Sequence, residues 1–278
     1  MRINTNHRLL GDGGASVPFV ASPNVGGVLE TGAPQFLIIH YTAGGTSDGA
    51  VSWFRRPDAK ASAHLVIGHT GDITQMVPFN QVAWHAGKSS YGTVTGLNSC
   101  SVGIEIVNWG LLRGAPGNWT SYTGTPVPDS RVLVARHKNF DVTKSHGWEI
   151  YDEAQWQAVC LAASAIVAHY GISEDHVLGH EDIAPGRKQD PGPAFDMNRF
   201  RARIFGRHTT QAPLYEVTAQ NGLSLRVGPG IDHQRLALLP NGQALRLLAS
   251  DGLWWQVAVV DANGNDDLTG WVHSQWVK

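Results

Sequence analysis

The feature that most constrains the fold is a change in hydrophobic pattern at Arg207–Pro213, a polar stretch that we interpret as a linker. Before it, apolar runs with strand character alternate with helical patterns, which predicts an α/β or α+β domain over residues 1–207. After it, short apolar runs alternate with Asn-Gly, Pro-Gly and Asp-Gly turn signals, and the helical period is lost. This pattern predicts a small all-β barrel or sandwich over residues 214–278. A chain of 278 residues is long enough for two such domains.

Composition excludes several classes of protein. A formal net charge of −2 argues against general nucleic-acid binding and against attachment to membranes through basic residues. The longest nearly apolar run, Ala158–Ala168, is too short to span a bilayer. Cys100 and Cys160 are too few for a disulfide framework, and we expect both to act as small buried hydrophobic residues. We therefore expect a soluble protein with no nucleic-acid partner and no integral membrane segment.

Local patterns predict the main elements of the first domain. Residues 1–35 are rich in Gly, Pro, Ser and Asn, and we expect an irregular arm there. Phe36–His40 predicts a buried strand that ends at a histidine, and alternation in Ser101–Val107 places Glu105 on the face opposite its isoleucines. Tyr151–Tyr170 predicts a helix. Further predicted elements are a short helix over Ala50–Arg56, a hairpin from His64–Ile67 and Ile73–Val77, a strand over Val132–Val134, and a short helix opened by Asp196.

Candidate chemistry is concentrated in the Gly- and Pro-rich loop that follows the long helix. This loop carries His180, Lys188 and Asp190 on what we expect to be irregular backbone. The strand-end His40 and the strand carboxylate Glu105 add two more candidate groups. Two imidazoles and one carboxylate make a three-ligand zinc set that leaves the fourth position for water.

Five segments together carry a resemblance to a known family. They are Ile38–Thr42, Ser62–Ile67, Ala83–Gly87, Val102–Glu105 and Gly179–Gly192. In this order they resemble the type 2 N-acetylmuramoyl-L-alanine amidases, a family that includes peptidoglycan recognition proteins and phage lysozyme-amidases. The similarity covers roughly residues 30–205. It implies an α/β fold with a mixed central sheet flanked by helices.

The resemblance also implies a metal site. By motif position, the family's zinc ligands fall on His40, His180 and Asp190, which would hold one zinc ion. Asp182 competes with Asp190 as the oxygen ligand, and we prefer Asp190 on motif position alone. For Glu181 and Asp182, a role in supporting a ligand or structuring the loop is the expected one.

The family's catalytic pair falls on Glu105 and Lys188. The resemblance implies that Glu105 exchanges protons with the attacking water and that Lys188 stabilises the tetrahedral oxyanion. One branch of the family instead uses a tyrosine just before the second-strand histidine. Ser62 and Ala63 stand at that point, so the chain resembles the glutamate and lysine branch.

Trp84 and His85 resemble the wall of the family's site that faces glycan and peptide, and we expect both to contact substrate. Burial of Trp84 beneath a loop is the alternative. Tyr41 and Asn98 are further candidate substrate contacts.

The last part of the chain, Ala219–Lys278, resembles a bacterial Src-homology-3-like domain. Such modules commonly hold cell-wall enzymes to peptide stems. We expect Trp255 or Trp271, or both, to pack the barrel, and Trp254 to be the better candidate for an exposed aromatic residue.

These resemblances predict a zinc-dependent N-acetylmuramoyl-L-alanine amidase that acts on peptidoglycan or muropeptides, with a monomer expected. The alternative is a non-catalytic recognition protein that holds muropeptides. A purely structural zinc ion is disfavoured because only three protein ligands are evident. The N-terminal segment lacks the apolar stretch of a secretory signal. We therefore expect a cytoplasmic protein, or one released or delivered to the cell wall by a non-classical route.

Overall fold

The computed structural model describes residues 1–141, 143–205, 214–261 and 266–278. It divides into two compact units, Met1–Phe205 and Gly206–Lys278, and each has its own hydrophobic core. The interpreted linker, Arg207–Pro213, lies outside the described residues. Within the described residues, no helix is both long enough and apolar enough to cross a bilayer.

The first unit contains short helices and strands around one larger sheet. Its strands are β1 (Arg2–Ile3), β2 (Leu9–Leu10), β3 (Val25–Val28), β4 (Phe36–Tyr41), β5 (Leu65–Ile67), β6 (Ile73–Gln75), β7 (Gln81–Ala83), β8 (Ser90–Tyr91), β9 (Val94–Thr95), β10 (Ser101–Ile106), β11 (Trp119–Thr120), β12 (Pro126–Val127), β13 (Val132–Ala135), β14 (His146–Glu149) and β15 (Val177–Gly179). Its α-helices are α1 (Ser47–Phe54), α2 (Glu153–Tyr170), α3 (His180–Ile183) and α4 (Met197–Ile204).

The central sheet has the strand order β15-β4-β10-β5-β6. Strands β15, β4, β10 and β5 run parallel, whereas β6 pairs antiparallel with β5. This confirms the predicted mixed sheet. One face of β4 and β10 packs into the main core against α2, through residues such as Ile39, Ile104 and Val159. The opposite face of β4 carries Ile38 and, at its end, His40, so the candidate site lies on the side of the sheet away from α2.

Helix α2 forms where the sequence predicts it. The side-chain oxygen Oε1 of Gln155 accepts a hydrogen bond of 3.0 Å from the N–H of Asp152, which satisfies a backbone donor at the start of the helix. Gly171 ends the helix with a φ of 68°, a left-handed conformation that glycine adopts without the steric cost of a Cβ atom.

Two regions are more regular than we expected. The N-terminal arm forms β1, β2 and β3, and β3 pairs with the distant strand β7, while Ile3 and Leu9 join the main core. The loop expected after the long helix begins with strand β15 and helix α3. Strands β3 and β15 pair with strands that are distant in the chain, which short-range periodicity does not report, whereas β1 and β2 pair with each other.

The second unit is all β, as predicted. Its strands are β16 (Leu214–Glu216), β17 (Leu223–Arg226), β18 (Arg235–Leu239), β19 (Ala244–Asp251), β20 (Trp254–Val260) and β21 (Asp266–His273), in the order β16-β19-β20-β21-β17-β18. Leu225, Val257 and Val272 lie in its core. Trp255 packs against this core and against Tyr215, with ring centroids 4.9 Å apart, so it has the packing role expected of it.

Candidate active site

The parallel sheet brings two of the predicted site residues together directly. His40 near the end of β4 pairs in register with Glu105 near the end of β10. Residues paired in register on neighbouring strands point to the same face, so both side chains leave the sheet on one side. On the other side of β4, Gly179 pairs with Ile39, and His180 follows immediately. The carboxyl ends of three strands therefore meet at one point.

Three of the predicted side chains converge at that point. The Nδ1 atoms of His40 and His180 lie 2.9 Å apart, and the Oδ2 atom of Asp190 lies 3.0 Å from the first and 2.9 Å from the second. All three residues are buried. The structure thus places the three expected ligands together, although they come from widely separated parts of the chain.

The neighbouring acids Glu181 and Asp182 bind other groups. Asp182 accepts a hydrogen bond of 2.8 Å from the N–H of Gly179 and pairs with Lys138 at 2.5 Å. Glu181 pairs with Lys138 at 2.8 Å and with His137 at 2.6 Å. These contacts leave Asp190 as the carboxylate that faces the two imidazoles and give the other two acids a role in holding the loop.

Glu105 is half-buried in the wall of a cavity of about 650 Å³. Its Oε2 atom has no hydrogen-bond partner in the described part of the chain. Burial raises the pKa of Glu105 well above its usual range, and the negative charge of Asp190 adds to this effect, while the positive charge of Lys188 opposes it. Lys188 lines the same cavity. The two predicted catalytic groups therefore share one space.

Aromatic side chains form another part of the cavity wall. Tyr41, Trp84 and Trp109 line it. Trp84 is 37% exposed, so it is accessible to a ligand and is not covered by a loop. Burial raises the pKa of Tyr41, and the nearby charge of Asp190 raises it further, so its hydroxyl stays protonated at neutral pH.

The environments of His85 and Asn98 differ from the substrate contacts that we expected. His85 lines the cavity but is only 9% exposed, and both ring nitrogens are occupied: Nδ1 lies 2.9 Å from Nε2 of His40, and Nε2 lies 3.1 Å from Oγ of Ser101. Asn98 is not among the described residues that line the cavity. Its Oδ1 atom accepts hydrogen bonds from the N–H groups of His85 and Ala86, at 3.1 and 2.7 Å. Both residues make hydrogen bonds within the cavity wall, and their contact with substrate stays a prediction.

Sequence reasoning missed two further supports. Arg187 donates hydrogen bonds to the carbonyl groups of Ala86, at 2.8 Å, and Lys88, at 2.6 Å. Gly103 lies so close to His85 that a Cβ atom there would be 2.4 Å from the ring. A glycine two residues before Glu105, on the same face of β10, was visible in the sequence, but the side chain that packs against it was not.

The donor set fits a metal ion of the zinc type. In the described residues, His40, His180 and Asp190 are the group of histidine, cysteine and acidic side chains whose ligand atoms all lie within 4.8 Å of one another. Burial lowers the pKa of His40 to about 4, and the neighbouring His180 contributes, so the His40 imidazole keeps a free lone pair at neutral pH. Two imidazole nitrogens and one carboxylate oxygen beside a cavity match the ligands of catalytic zinc sites.

Comparison with known families gives a direct assignment. Residues 30–193, more than half of the chain, match the family described as N-acetylmuramoyl-L-alanine amidase. The chain belongs to this amidase family. All of the candidate site residues lie within the matched amidase domain. Residues 221–278 match the bacterial SH3 domain, in agreement with the second resemblance.

Curated amidases show the same relationship over part of their length. The chain is 33% identical over 145 residues to the 1,6-anhydro-N-acetylmuramyl-L-alanine amidase AmpD of Salmonella typhimurium strain SL1344. This alignment covers 52% of this chain and 58% of that protein. It is 33% identical over 179 residues to the N-acetylmuramoyl-L-alanine amidase AmiD of Escherichia coli K12. This alignment covers 62% of this chain and 54% of that protein. The matched region thus spans a little over half the length of these relatives.

Solved structures of amidases also match. The crystal structure of a selenomethionine AmpD derivative covers 70% of this chain and 98% of its own, at 28% identity and a TM-score of 0.47. Escherichia coli AmiD in complex with the substrate anhydro-N-acetylmuramic acid-L-Ala-D-gamma-Glu-L-Lys covers 70% of this chain and 66% of its own, at 26% identity and a TM-score of 0.47.

Proposed function

We propose that the chain is a zinc-dependent N-acetylmuramoyl-L-alanine amidase, which hydrolyses the amide bond between N-acetylmuramic acid and the L-alanine of the stem peptide. One observation carries the proposal: three ligand atoms converge beside a cavity that also holds Glu105, whose Oε2 atom has no hydrogen-bond partner among the described residues. Membership of the amidase family supports the type of bond.

His40, His180 and Asp190 would hold the metal ion. When bound, a zinc ion supplies Lewis-acid chemistry, since it lowers the pKa of a water ligand towards ~7 and polarises the scissile carbonyl group. An amide needs this help because it is a poor electrophile and neutral water is a poor nucleophile.

Glu105 would act as the proton carrier. It lies in register with His40 at the cavity wall, and its Oε2 atom has no competing partner in the described residues. A carboxylate in this position takes a proton from the attacking water and returns it to the leaving amine.

Lys188 would stabilise the negative charge that develops on the carbonyl oxygen. It lines the same cavity as Glu105, and its positive charge acts on both Glu105 and His40. A single donor to a developing oxyanion contributes about 3–4 kcal/mol to transition-state stabilisation.

The substrate would be a muramyl peptide. Relatives named as amidases of N-acetylmuramyl-L-alanine and its 1,6-anhydro form support this class. The exposed ring of Trp84 and the ring of Trp109 offer flat apolar surfaces of the kind that sugar rings pack against.

The test is incubation of the protein with cell-wall sacculi and, separately, with a soluble anhydro-muropeptide, followed by mass spectrometry. We expect new L-alanine amino termini and free lactyl groups, and we expect both to disappear with a chelator and return with zinc. The Glu105→Gln variant should bind the same ligands without cutting them, whereas the exposed control Glu153→Gln should retain activity. Binding without cleavage by the wild-type protein would instead favour a recognition protein.

We also propose that the C-terminal unit anchors the enzyme to peptidoglycan. A cavity of about 550 Å³ in this unit is lined by Trp254, His273 and Trp276, among others. The Trp254 and His273 rings meet edge to face, with centroids 5.3 Å apart, and Trp276 is exposed. We expect Trp254→Ala in the full chain to reduce co-sedimentation with sacculi, while Leu253→Ala, at an exposed residue outside this lining, should not. Equal sedimentation of both variants and the wild type would contradict anchoring through this cavity.

A further inference from the structure

We propose that His85, held by Ser101, is a positioning residue that determines which nitrogen of His40 carries the hydrogen. The role deepens the proposed metal site, and its consequence for zinc binding rests on the proposed function. Which ring nitrogen carries the hydrogen can be tested in the metal-free protein. The assignment follows from a chain of contacts that begins at a backbone carbonyl group and ends at the predicted metal ligand.

The donor and acceptor roles in this series of hydrogen bonds are set at Ser101. Its Oγ atom lies 2.5 Å from the carbonyl oxygen of Leu97, and a carbonyl group cannot donate, so the serine hydroxyl donates there. The same Oγ atom lies 3.1 Å from Nε2 of His85. Since the only hydroxyl hydrogen is already used, Ser101 accepts this second bond, and the hydrogen of His85 sits on Nε2.

The next step transfers this constraint to His40. A neutral imidazole carries one N–H group and one acceptor nitrogen, so Nδ1 of His85 is an acceptor. It lies 2.9 Å from Nε2 of His40, which must then donate. The remaining nitrogen of His40, Nδ1, keeps its lone pair. This is the atom that lies 3.0 Å from Oδ2 of Asp190.

The imidazole of His180 is oriented in a similar way by Ala86, the residue that follows His85. Nε2 of His180 lies 3.1 Å from the carbonyl oxygen of Ala86, so it donates there, and in the neutral ring the Nδ1 atom keeps its lone pair. Asn98 accepts hydrogen bonds from the backbone N–H groups of both His85 and Ala86. One dipeptide, fixed by Asn98, therefore directs the Nδ1 atoms of both histidines towards the point where Oδ2 of Asp190 also lies.

The packing around His85 leaves its ring little freedom to take another role. The ring is buried against Gly103, where a Cβ atom would lie 2.4 Å from Cγ and 2.5 Å from Nδ1 of His85. Groups that hydrogen-bond the outer nitrogen of a metal-binding histidine set its tautomer and orientation, and their loss typically weakens metal binding by about 10- to 100-fold. The geometry thus assigns to His85 the role of such a group.

The first test measures tautomers directly. Long-range ¹H–¹⁵N NMR spectra of the metal-free, histidine-labelled protein at neutral pH should show the hydrogen of His40 and that of His85 on Nε2. Ser101→Ala removes the acceptor for His85 and should produce mixed tautomers of both rings. Ser121→Ala, which removes a buried serine hydroxyl that bonds Thr123 away from this site, should leave them unchanged. A wild-type spectrum with the His40 hydrogen on Nδ1 would overturn the proposal.

The second test measures zinc affinity by competition with a chromophoric chelator. His85→Leu should weaken binding by about 10- to 100-fold. His85→Asn should restore most of it, because the asparagine Oδ1 atom can occupy the position of Nδ1 and accept from His40. Equal loss in both variants, or no loss in His85→Leu, would refute the positioning role. A wild-type protein that binds no zinc would refute the proposed function, while the NMR result would still decide the order of hydrogens.

Discussion

Replacing Gly103 by alanine would place a methyl group where the ring of His85 now lies. The added Cβ atom would be 2.4 Å from Cγ and 2.5 Å from Nδ1 of His85. Carbon atoms in favourable contact are about 3.5–4.0 Å apart, so the ring would have to recede by roughly 1 Å. Gly103 lies on the central strand β10, whose backbone is held by pairing on both sides, so the ring must give way rather than the sheet.

A displacement of this size would break the contact between His85 and His40. The distance of 2.9 Å between Nδ1 of His85 and Nε2 of His40 would approach 4 Å if the ring recedes directly, beyond the range of a hydrogen bond. Overpacking of a buried site costs about 1–3 kcal/mol in the free energy of unfolding. We also expect zinc affinity to fall by about 10-fold or more, because His40 loses the acceptor that orients it.

Urea unfolding and chelator competition measure the two effects separately. Gly27→Ala is the matched control, because Gly27 also lies in a strand but has no atom within 4 Å of an added Cβ and no positive φ. It should change the free energy of unfolding by less than about 0.5 kcal/mol. If Gly103→Ala behaves like this control in both assays, the close approach of His85 to β10 is not what holds the site, and the reasoning fails.

Three other predictions concern catalysis and pH. Glu105→Ala should retain zinc but lose about 10²–10⁴-fold in the rate of hydrolysis, and an active purified variant would remove Glu105 from the mechanism. Lys188→Ala should retain zinc and lose about 10²–10³-fold in kcat, whereas a change in KM alone would assign Lys188 to substrate binding. Burial alone would raise the pKa of Asp152, but hydrogen bonds from Arg131 and His69 outweigh it and hold that pKa below 3.8. The pair Arg131–Asp152 therefore stabilises the fold above about pH 4 and loses this effect as the pH falls further, so Arg131→Met should unfold more easily at pH 7 and show a shallower loss of stability in acid. Parallel acid unfolding curves for variant and wild type would contradict this.

Elements defined by short-range patterns were predictable. The alternation in β10 placed Glu105 on the face opposite Ile104, because side chains alternate strictly along a strand. Asp196 caps α4 by accepting from two backbone N–H groups, a preference that shows in the sequence. Strand β15 was missed because three residues are too few to show a period.

The candidate site also has features that could be predicted from the sequence and features that could not. The ligands were expected from the resemblance to the amidase family, and two imidazoles with one carboxylate are one of the ligand sets that catalytic zinc sites use. The role of His85 was not, because both ring nitrogens bind residues that are distant in the chain: His40 on β4 and Ser101 on β10. No local signal separates a histidine that contacts substrate from one that orients another histidine.

The sequence alone determined the two-part organisation, the main helix and strands, and the family to which the first part belongs. The helix and strands depend on the spacing of neighbouring residues, where the geometry of these elements acts directly, whereas the family resemblance depends on the order of five motifs along the chain. Only the tertiary structure decided that Asp190 rather than Asp182 faces the two imidazoles, because Lys138 and Gly179 already bind Asp182. The physical reason is that a carboxylate's role depends on which donors surround it, and strand pairing brings those donors from distant parts of the chain.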